Sequence, residues 1–297
     1  MSSQTCTLLV PNVLSATVDE AEQLYSLADA VPPTDQYTFD MQLVDFVNPY
    51  GVLALVTTAR RLSSHSRCPV QLENLRAPVH LYLQRMNVFG VGCDWLRPRE
   101  TLEEQWAHNP QTTNLLELTP ITGPQTVATV LERAERIFSR WLRPSGLGNL
   151  LSVLSELCAN VYEHSGDPQG CVLMQKYDVV TRGQIALHLS VGDLGCGIRR
   201  SLMARYGESS ADPLDYLRQA MQGRTARSSG RGGLGLRLVE EIARAGDGLC
   251  WLLRISVPKK SAHDGSTSSF SWQSMHQISG VKVSYTTVYF LILERIS

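Results

Sequence analysis

The run SSGRGGLGLRLVEEIARAG places Gly230, Gly232, Gly233 and Gly235 directly ahead of an amphipathic helical pattern carrying Leu236, Val239, Ile242 and Ala243. Glycine this dense weakens the interior of a helix or strand, so the stretch reads as a turn. A glycine-rich turn that runs straight into a helix aims backbone amides and the helix's first N–H groups at one point, which suits phosphate oxygens. The run lacks the Gly-Lys-Ser/Thr ending of a Walker loop, and it does not follow a strand as a dinucleotide fingerprint does. A flexible surface loop is the alternative, and the immediate helix start counts against it.

Two segments upstream suit the same kind of ligand. In SELCANVYEHSG and the turn before it, Leu150, Leu151, Leu154, Cys158 and Val161 form an apolar stripe. Glu156 and Asn160, four residues apart, then share another face of that helix. A carboxylate and an amide oxygen one turn apart can hold a hard cation, water or hydroxyl beside a phosphate chain. Taken alone, the same spacing also fits an ordinary solvated face. In LSVGDLGCGI an apolar strand delivers Asp193, followed by Gly195 and Gly197. A carboxylate at a strand end can accept a hydrogen bond from an exocyclic amino group, while glycines let the backbone turn beneath a flat ligand. By itself this segment reads first as a plain Asp/Gly turn.

In this order and at these spacings the three segments resemble the N, G1 and G2 boxes of the GHKL family of gyrase-type, chaperone, mismatch-repair and sensor-kinase ATPases. The resemblance implies ATP and magnesium as cofactors. It makes Glu156 the general base, Asn160 the magnesium ligand and Asp193 the adenine-reading carboxylate. Gly195 and Gly197 would shape the adenine pocket, and Gly230, Gly232, Gly233, Leu234 and Gly235 would wrap the triphosphate. In YTTVYFLIL, Thr286 and Thr287 are similar to the threonine that supports the adenine-bound carboxylate, with Thr287 the choice. The segment from Ile198 to Ser229 corresponds to the ATP lid, where Arg224 and Arg227, with Arg231 just beyond, face phosphate charge or only solvent.

Within the family, a sensor kinase needs a phosphoacceptor histidine ahead of the ATP domain. His164 lies inside the nucleotide helix and is followed by Ser165, which reads as a structural or pocket-wall histidine. Gyrase-like and chaperone-like relatives continue into a second domain, whereas this sequence stops shortly after its last strand. The remaining resemblance is to the anti-sigma-factor serine kinases. It implies a magnesium-ATP-binding regulatory protein acting on a serine or threonine of a partner, which would be a STAS-type or sigma-factor-like regulator. The alternative is an ATP-gated interaction switch or an ATPase without kinase activity.

The expected fold is α/β: a STAS-like domain over residues 1–97, a linker over 98–112 and a GHKL (Bergerat) α/β sandwich over 113–297. The sandwich is expected to have a mixed, largely antiparallel sheet covered by helices on one face. FDMQLVDFVNPYGVLALVTTARRL resembles the centre of a STAS domain. Where STAS substrates carry an acidic residue and a serine before the glycine, this chain has Asn48, Pro49, Tyr50 and Gly51, which implies a docking or regulatory domain and not a phosphoacceptor. The N-terminal elements read as a strand near Tyr37–Val47, a helix from about Tyr50 to Ser63 and a strand at Val79–Leu83.

The C-terminal elements read as a strand at Leu115–Ile121, a helix beginning at Gly123 and Pro124, a break at Pro144–Gly148 and a second helix through Gly166. Strands at Cys171–Tyr177 and Ile185–Val191 follow, then a polar excursion and a helix at Leu234–Ala245. Leu249–Val257 and Val281–Leu293 close the sheet, with a Ser/Gly/His-rich loop between them.

A net charge of -1 gives no electrostatic signature of nucleic-acid or membrane binding, and no stretch approaches the length needed to cross a bilayer. The seven cysteines show no ligand spacing and read as buried reduced thiols of a cytoplasmic protein. A homodimer is among the assemblies the sequence allows.

Overall fold

The structure is a computed structural model that describes residues 4–15, 20–100, 112–179, 184–210, 213–224, 234–245, 254–256, 268–271, 278–279 and 286–295. The chain divides into two compact units, one over Met1–Thr112 and the other over Thr113–Gly280 and Ser284–Ser297.

The N-terminal unit runs β1 (Thr5–Leu9), β2 (Val13–Leu14), α1 (Glu20–Ala30), β3 (Gln36–Asp40), β4 (Phe46–Val47), α2 (Pro49–Ser66), β5 (Val70–Glu73), α3 (Ala77–Arg85), α4 (Val88–Val91) and β6 (Leu96–Pro98). Its main sheet has the order β1-β3-β5-β6 with every neighbour parallel, and β2 and β4 form a short parallel pair. Strands alternating with helices produce this layout, and parallel strands are buried on both faces, as Tyr37, Thr38 and Phe39 are.

Helix α2 starts where Asn48 caps it: the Asn48 side chain accepts from the Gly51 amide at 3.0 Å, and Pro49 takes the first helical position. The helix ends at Arg67, in the left-handed region at φ 59°, whose amide reaches back to the Ser63 carbonyl.

Val79–Leu83, expected as a strand, is helical. Pro78 sits in the first turn of α3, and Val79, His80 and Leu83 are the residues that bury, which is helical spacing. The next strand of the sheet is β5 instead. The expected single strand from Tyr37 to Val47 is divided by a turn after Asp40, where the Asp40 carboxylate accepts from the Gln42 amide at 3.1 Å. Pro98 and Arg99, assigned to the linker from sequence, are still tied to this unit: Pro98 belongs to β6 and the Arg99 amide donates to the Leu72 carbonyl at 2.9 Å. Residues 101–111 of that linker lie outside the described residues.

The C-terminal unit runs β7 (Leu115–Ile121), α5 (Pro124–Phe138), α6 (Pro144–Asn160), a π-helical turn (Val161–Ser165), β8 (Gly170–Val179), β9 (Gln184–Asp193), α7 (Gly197–Tyr206), α8 (Pro213–Met221), α9 (Leu234–Ala245), β10 (Arg254–Ser256), β11 (Ser268–Ser271), β12 (Ile278–Ser279) and β13 (Thr286–Arg295). The sheet order is β12-β11-β10-β13-β9-β8-β7, and every pairing described is antiparallel. One face of β8 and β9 packs Val172, Met174, Leu187, Leu189 and Val191 against Val130, Ala134 and Ile137 of α5, Val153, Leu154 and Leu157 of α6, and Val239 and Ile242 of α9. Each fully buried aliphatic side chain in that layer contributes about 1.5 to 3 kcal/mol, and the layer fixes where α6 and α9 stand.

The break expected at Pro144–Gly148 is the first turn of α6. Proline is favoured there because the amide it lacks has no partner in that turn anyway. The stretch between the closing strands, read from sequence as a loop, contains β11 and β12. Among the described residues no helix is long and apolar enough to cross a membrane. No disulfide joins the six described cysteines. Cys158 and Cys171 are buried, as expected, whereas Cys68 and Cys93 are exposed.

Candidate functional site

Helix α6 turns Leu150, Val153, Leu154, Leu157 and Cys158 into the core. That leaves Glu156 and Asn160 half-buried, one turn apart. Among the described residues neither side chain has a hydrogen bond or ion pair. A half-buried carboxylate and amide without protein partners are costly unless water or a ligand meets them.

Immediately after Asn160 the chain enters the π-helical turn, which Gly166 ends in the left-handed region at φ 71°. The Ser165 hydroxyl donates to the Val161 carbonyl at 2.5 Å and accepts from the Asp167 amide at 2.9 Å. This turn receives the segment after β9. The Cys196 amide donates to the Ser165 carbonyl at 2.7 Å, and its thiol reaches the His164 carbonyl at 3.2 Å. Burial, with the nearby Asp193 carboxylate second, pushes the Cys196 thiol up from its ordinary value. The His164 ring stands 3.9 Å from the Glu163 carboxylate.

Asp193 ends β9 and is 4% exposed, with one oxygen accepting from the Gly195 amide at 2.7 Å. A Cβ on Gly195 would come within 2.1 Å of the Ser165 carbonyl oxygen, so only glycine allows the two turns to touch. Gly197 follows at φ 71° as the first residue of α7. On the other side of Asp193, β13 pairs with β9 so that Thr286 lies opposite Asp193 and Thr287 opposite Gly192.

The glycine-rich run is described from Leu234 onward; Gly230, Gly232 and Gly233 lie outside the described residues. Helix α9 begins at Leu234, and a Cβ on Gly235 would fall 2.1 Å from a carboxylate oxygen of Glu156. The first turn of α9 therefore lies directly on the Glu156 side chain. No acidic residue occupies that turn, which keeps its amides attractive to an anion.

The polar excursion before α9 holds two helices, α7 and α8, that sequence periodicity did not single out. They share a small core of Leu202, Tyr216 and Ala220, against which Ile198, Met203 and Leu236 of α9 pack. The Tyr216 hydroxyl accepts from the amides of Ser209 and Ser210 at 2.9 and 3.2 Å. Arg224 lays its guanidinium 4.2 Å from the centre of the Tyr206 ring, so its charge is engaged within this helix pair. Arg227 and Arg231 lie outside the described residues.

Two polar residues that join these segments escaped the sequence reading: Ser165 and Asp167, both buried. The sequence carries a signal for the local turn, since SGDPQ is turn chemistry and the Asp167 carboxylate accepts from the Gln169 amide at 3.0 Å. It carries none for the second oxygen, which crosses to the Leu194 amide at 2.7 Å.

Residues 147–276 match the family model of histidine kinase-, DNA gyrase B- and HSP90-like ATPases. That supports a GHKL ATPase domain at these residues. The match takes in Glu156, Asn160, Asp193, Gly195, Gly197 and the run from Gly230 to Gly235, and it stops short of β13. No curated protein matches the chain.

Among the described residues there is no group of three or more His, Cys, Asp or Glu side chains able to hold a metal. Magnesium, however, is commonly held by one or two protein oxygens together with substrate phosphates. The unpartnered Asn160 amide, one turn from the Glu156 carboxylate that meets the start of α9, fits that mode.

Proposed function

We propose that the protein binds magnesium-ATP in its C-terminal unit and works as an ATP-dependent regulatory protein, transferring phosphate to a serine or threonine of a partner. One observation carries this reading: three segments far apart in sequence converge, with Gly235 against Glu156 and Gly195 against the turn that follows Asn160.

In this reading the Asp193 carboxylate accepts a hydrogen bond from the adenine amino group. Gly195 and Gly197 shape the wall beneath the base, with Thr286 or Thr287 in support. The start of α9 and the glycines from Gly230 to Gly235 hold the triphosphate, and Asn160 holds the magnesium. Bound magnesium supplies charge neutralisation along the phosphates. Glu156 accepts the proton of the attacking hydroxyl, or of water if the protein is an ATPase, while the fixed framework keeps the reactants aligned.

A specific observation favours a second reading, the ATP-gated interaction switch. Helices α7 and α8 occupy the lid segment and pack on Leu236, two residues after the start of α9. Nucleotide held at that start bears directly on the helix pair's support.

The N-terminal unit takes the part of a STAS-like docking or regulatory domain in this proposal. Asn48, where a STAS phosphoacceptor site would lie, is buried and spends its side chain on Gly51 and on the Ser15 hydroxyl at 2.7 Å, which supports a role other than phosphate acceptance. The partner would be a STAS-type or sigma-factor-like regulator met in the cytoplasm, with neither nucleic acid nor membrane involved.

Calorimetry with magnesium-ATP tests the reading. The full chain should bind, and Asp193→Asn should bind roughly 10- to 100-fold more weakly, because the amide can present a donor where the adenine amino group needs an acceptor. Equal affinity in both proteins removes Asp193 as the adenine reader. Absence of ATP binding in the wild type removes the function.

A further inference from the structure

We propose that Asp167 is a positioning residue for adenine recognition, fixing the turn that presents Asp193 and tying it to the helix end that carries Asn160. The proposal rests on the ATP site described above and assigns that site's base selectivity to a residue outside its motifs.

Asp167 is 6% exposed, a position in which a carboxylate survives only if hydrogen bonds replace its water. One of its oxygens accepts from the Gln169 amide at 3.0 Å, which is ordinary Asx-turn geometry. The other accepts from the Leu194 amide at 2.7 Å, 27 residues away, and no local turn requires that bond. Charge-assisted bonds of this kind are roughly twice as strong as neutral ones.

With it, three successive amides of the turn after β9 are held. Leu194 donates to Asp167, Gly195 to Asp193 itself, and Cys196 to the Ser165 carbonyl. Because the Gly195 amide grips one oxygen of Asp193, the direction in which the Asp193 carboxylate points follows the orientation of the turn. Asp167 sets that orientation through Leu194. Asp167 is in turn fixed through its own amide, which donates to the Ser165 hydroxyl, and that hydroxyl donates to the Val161 carbonyl one residue beyond Asn160. One short hydrogen-bonded chain thus ties the base-reading turn to the backbone of the helix end without passing through the Asn160 side chain.

The test is the ratio of magnesium-ATP to magnesium-GTP affinity, measured by calorimetry on the full chain, with magnesium tripolyphosphate as a ligand that has no base. Asp167→Asn keeps the shape but turns an NH2 group toward one of the two amide donors. The expected result is about a tenfold or larger loss of ATP affinity, with a matching fall in the ATP to GTP ratio and tripolyphosphate affinity unchanged. Uniform weakening of all three ligands, or a preserved ratio, overturns the proposal. If Asp167→Asn fails to fold, Ser165→Ala decides, since it removes only the hydroxyl bonds that anchor Asp167. The ratio should fall in the same direction, and an unchanged ratio overturns the proposal. A wild type without preference for ATP over GTP makes the adenine reading itself fail, a result seen without any variant.

Discussion

The starts of two helices, α2 in the N-terminal unit and α9 in the C-terminal unit, differ in what closes them. At α2 the chain supplies its own closure: the Asn48 side chain accepts from Gly51 and donates to Ser15, all of it buried. Tyr25 and Thr57 pair through their hydroxyls beside the same helix at 3.3 Å. At α9 the first turn lies on Glu156, and neither Glu156 nor Asn160 has a partner among the described residues. The start of α2 satisfies itself, whereas the start of α9 meets a carboxylate that has no protein partner among the described residues, an arrangement that suits a ligand.

The contrast breaks most decisively at Glu156. As the general base it should contribute about 100- to 10,000-fold to transfer or hydrolysis. Glu156→Gln keeps the shape and removes the basicity, so paired measurements should find nucleotide affinity close to wild type and turnover nearly abolished. A variant that turns over at the wild-type rate would return Glu156 to the status of an ordinary half-buried side chain.

Next in size is an acid response of the C-terminal unit. Burial lowers the pKa of His188 from 6.5 to about 4, and the ring lies 4.5 Å from that of Tyr177. The folded state therefore binds the proton less well than the unfolded chain. Stability is fully present above pH 6.5, is lost as the pH falls toward 4, and changes by on the order of 3 kcal/mol across that window. Denaturant unfolding between pH 7 and 4.5 should show the loss, and His188→Leu should flatten it. An unchanged slope in the variant would place the acid-sensitive group elsewhere.

Much of the C-terminal unit was legible because its signals are dense and local. The pattern from Leu234 to Ala245 gave α9 with both ends, and Leu115–Ile121 gave β7, since apolar period and punctuation agree there. The N-terminal unit resisted because short apolar runs fit either period: Val79–Leu83 alternates like a strand, yet Pro78 and burial at Val79, His80 and Leu83 make it a helix. Helices α7 and α8 were missed because their shared core is small and partly borrowed from Leu236. At the candidate site the sequence named Glu156, Asn160, Asp193 and the glycines, the residues the proposal assigns to ATP. It gave no site role to Asp167 or Ser165, whose bonds to Leu194 and Cys196 exist only once the strands are paired. That Thr286 pairs with Asp193, and Thr287 with Gly192, likewise depends on the register between β9 and β13.

The smallest expected effect lies at Asn48, and it tests whether the start of α2 is architecture alone. Asn48→Ala removes the side-chain acceptor for the Gly51 amide and leaves the buried Ser15 hydroxyl without its donor. Loss of an N-cap costs about 0.5 to 2 kcal/mol, and loss of the buried Asn48–Ser15 bond adds to that. Thermal or denaturant unfolding of the N-terminal unit should fall by an amount in that range, while magnesium-ATP affinity stays at the wild-type value. Asn48→Asp separates the two bonds, because the carboxylate still accepts from Gly51 and can accept from the Ser15 hydroxyl once that rotates, so it should recover most of the loss. If either variant instead changes nucleotide affinity or turnover, the start of α2 is part of the regulatory path between the two units and not a cap alone.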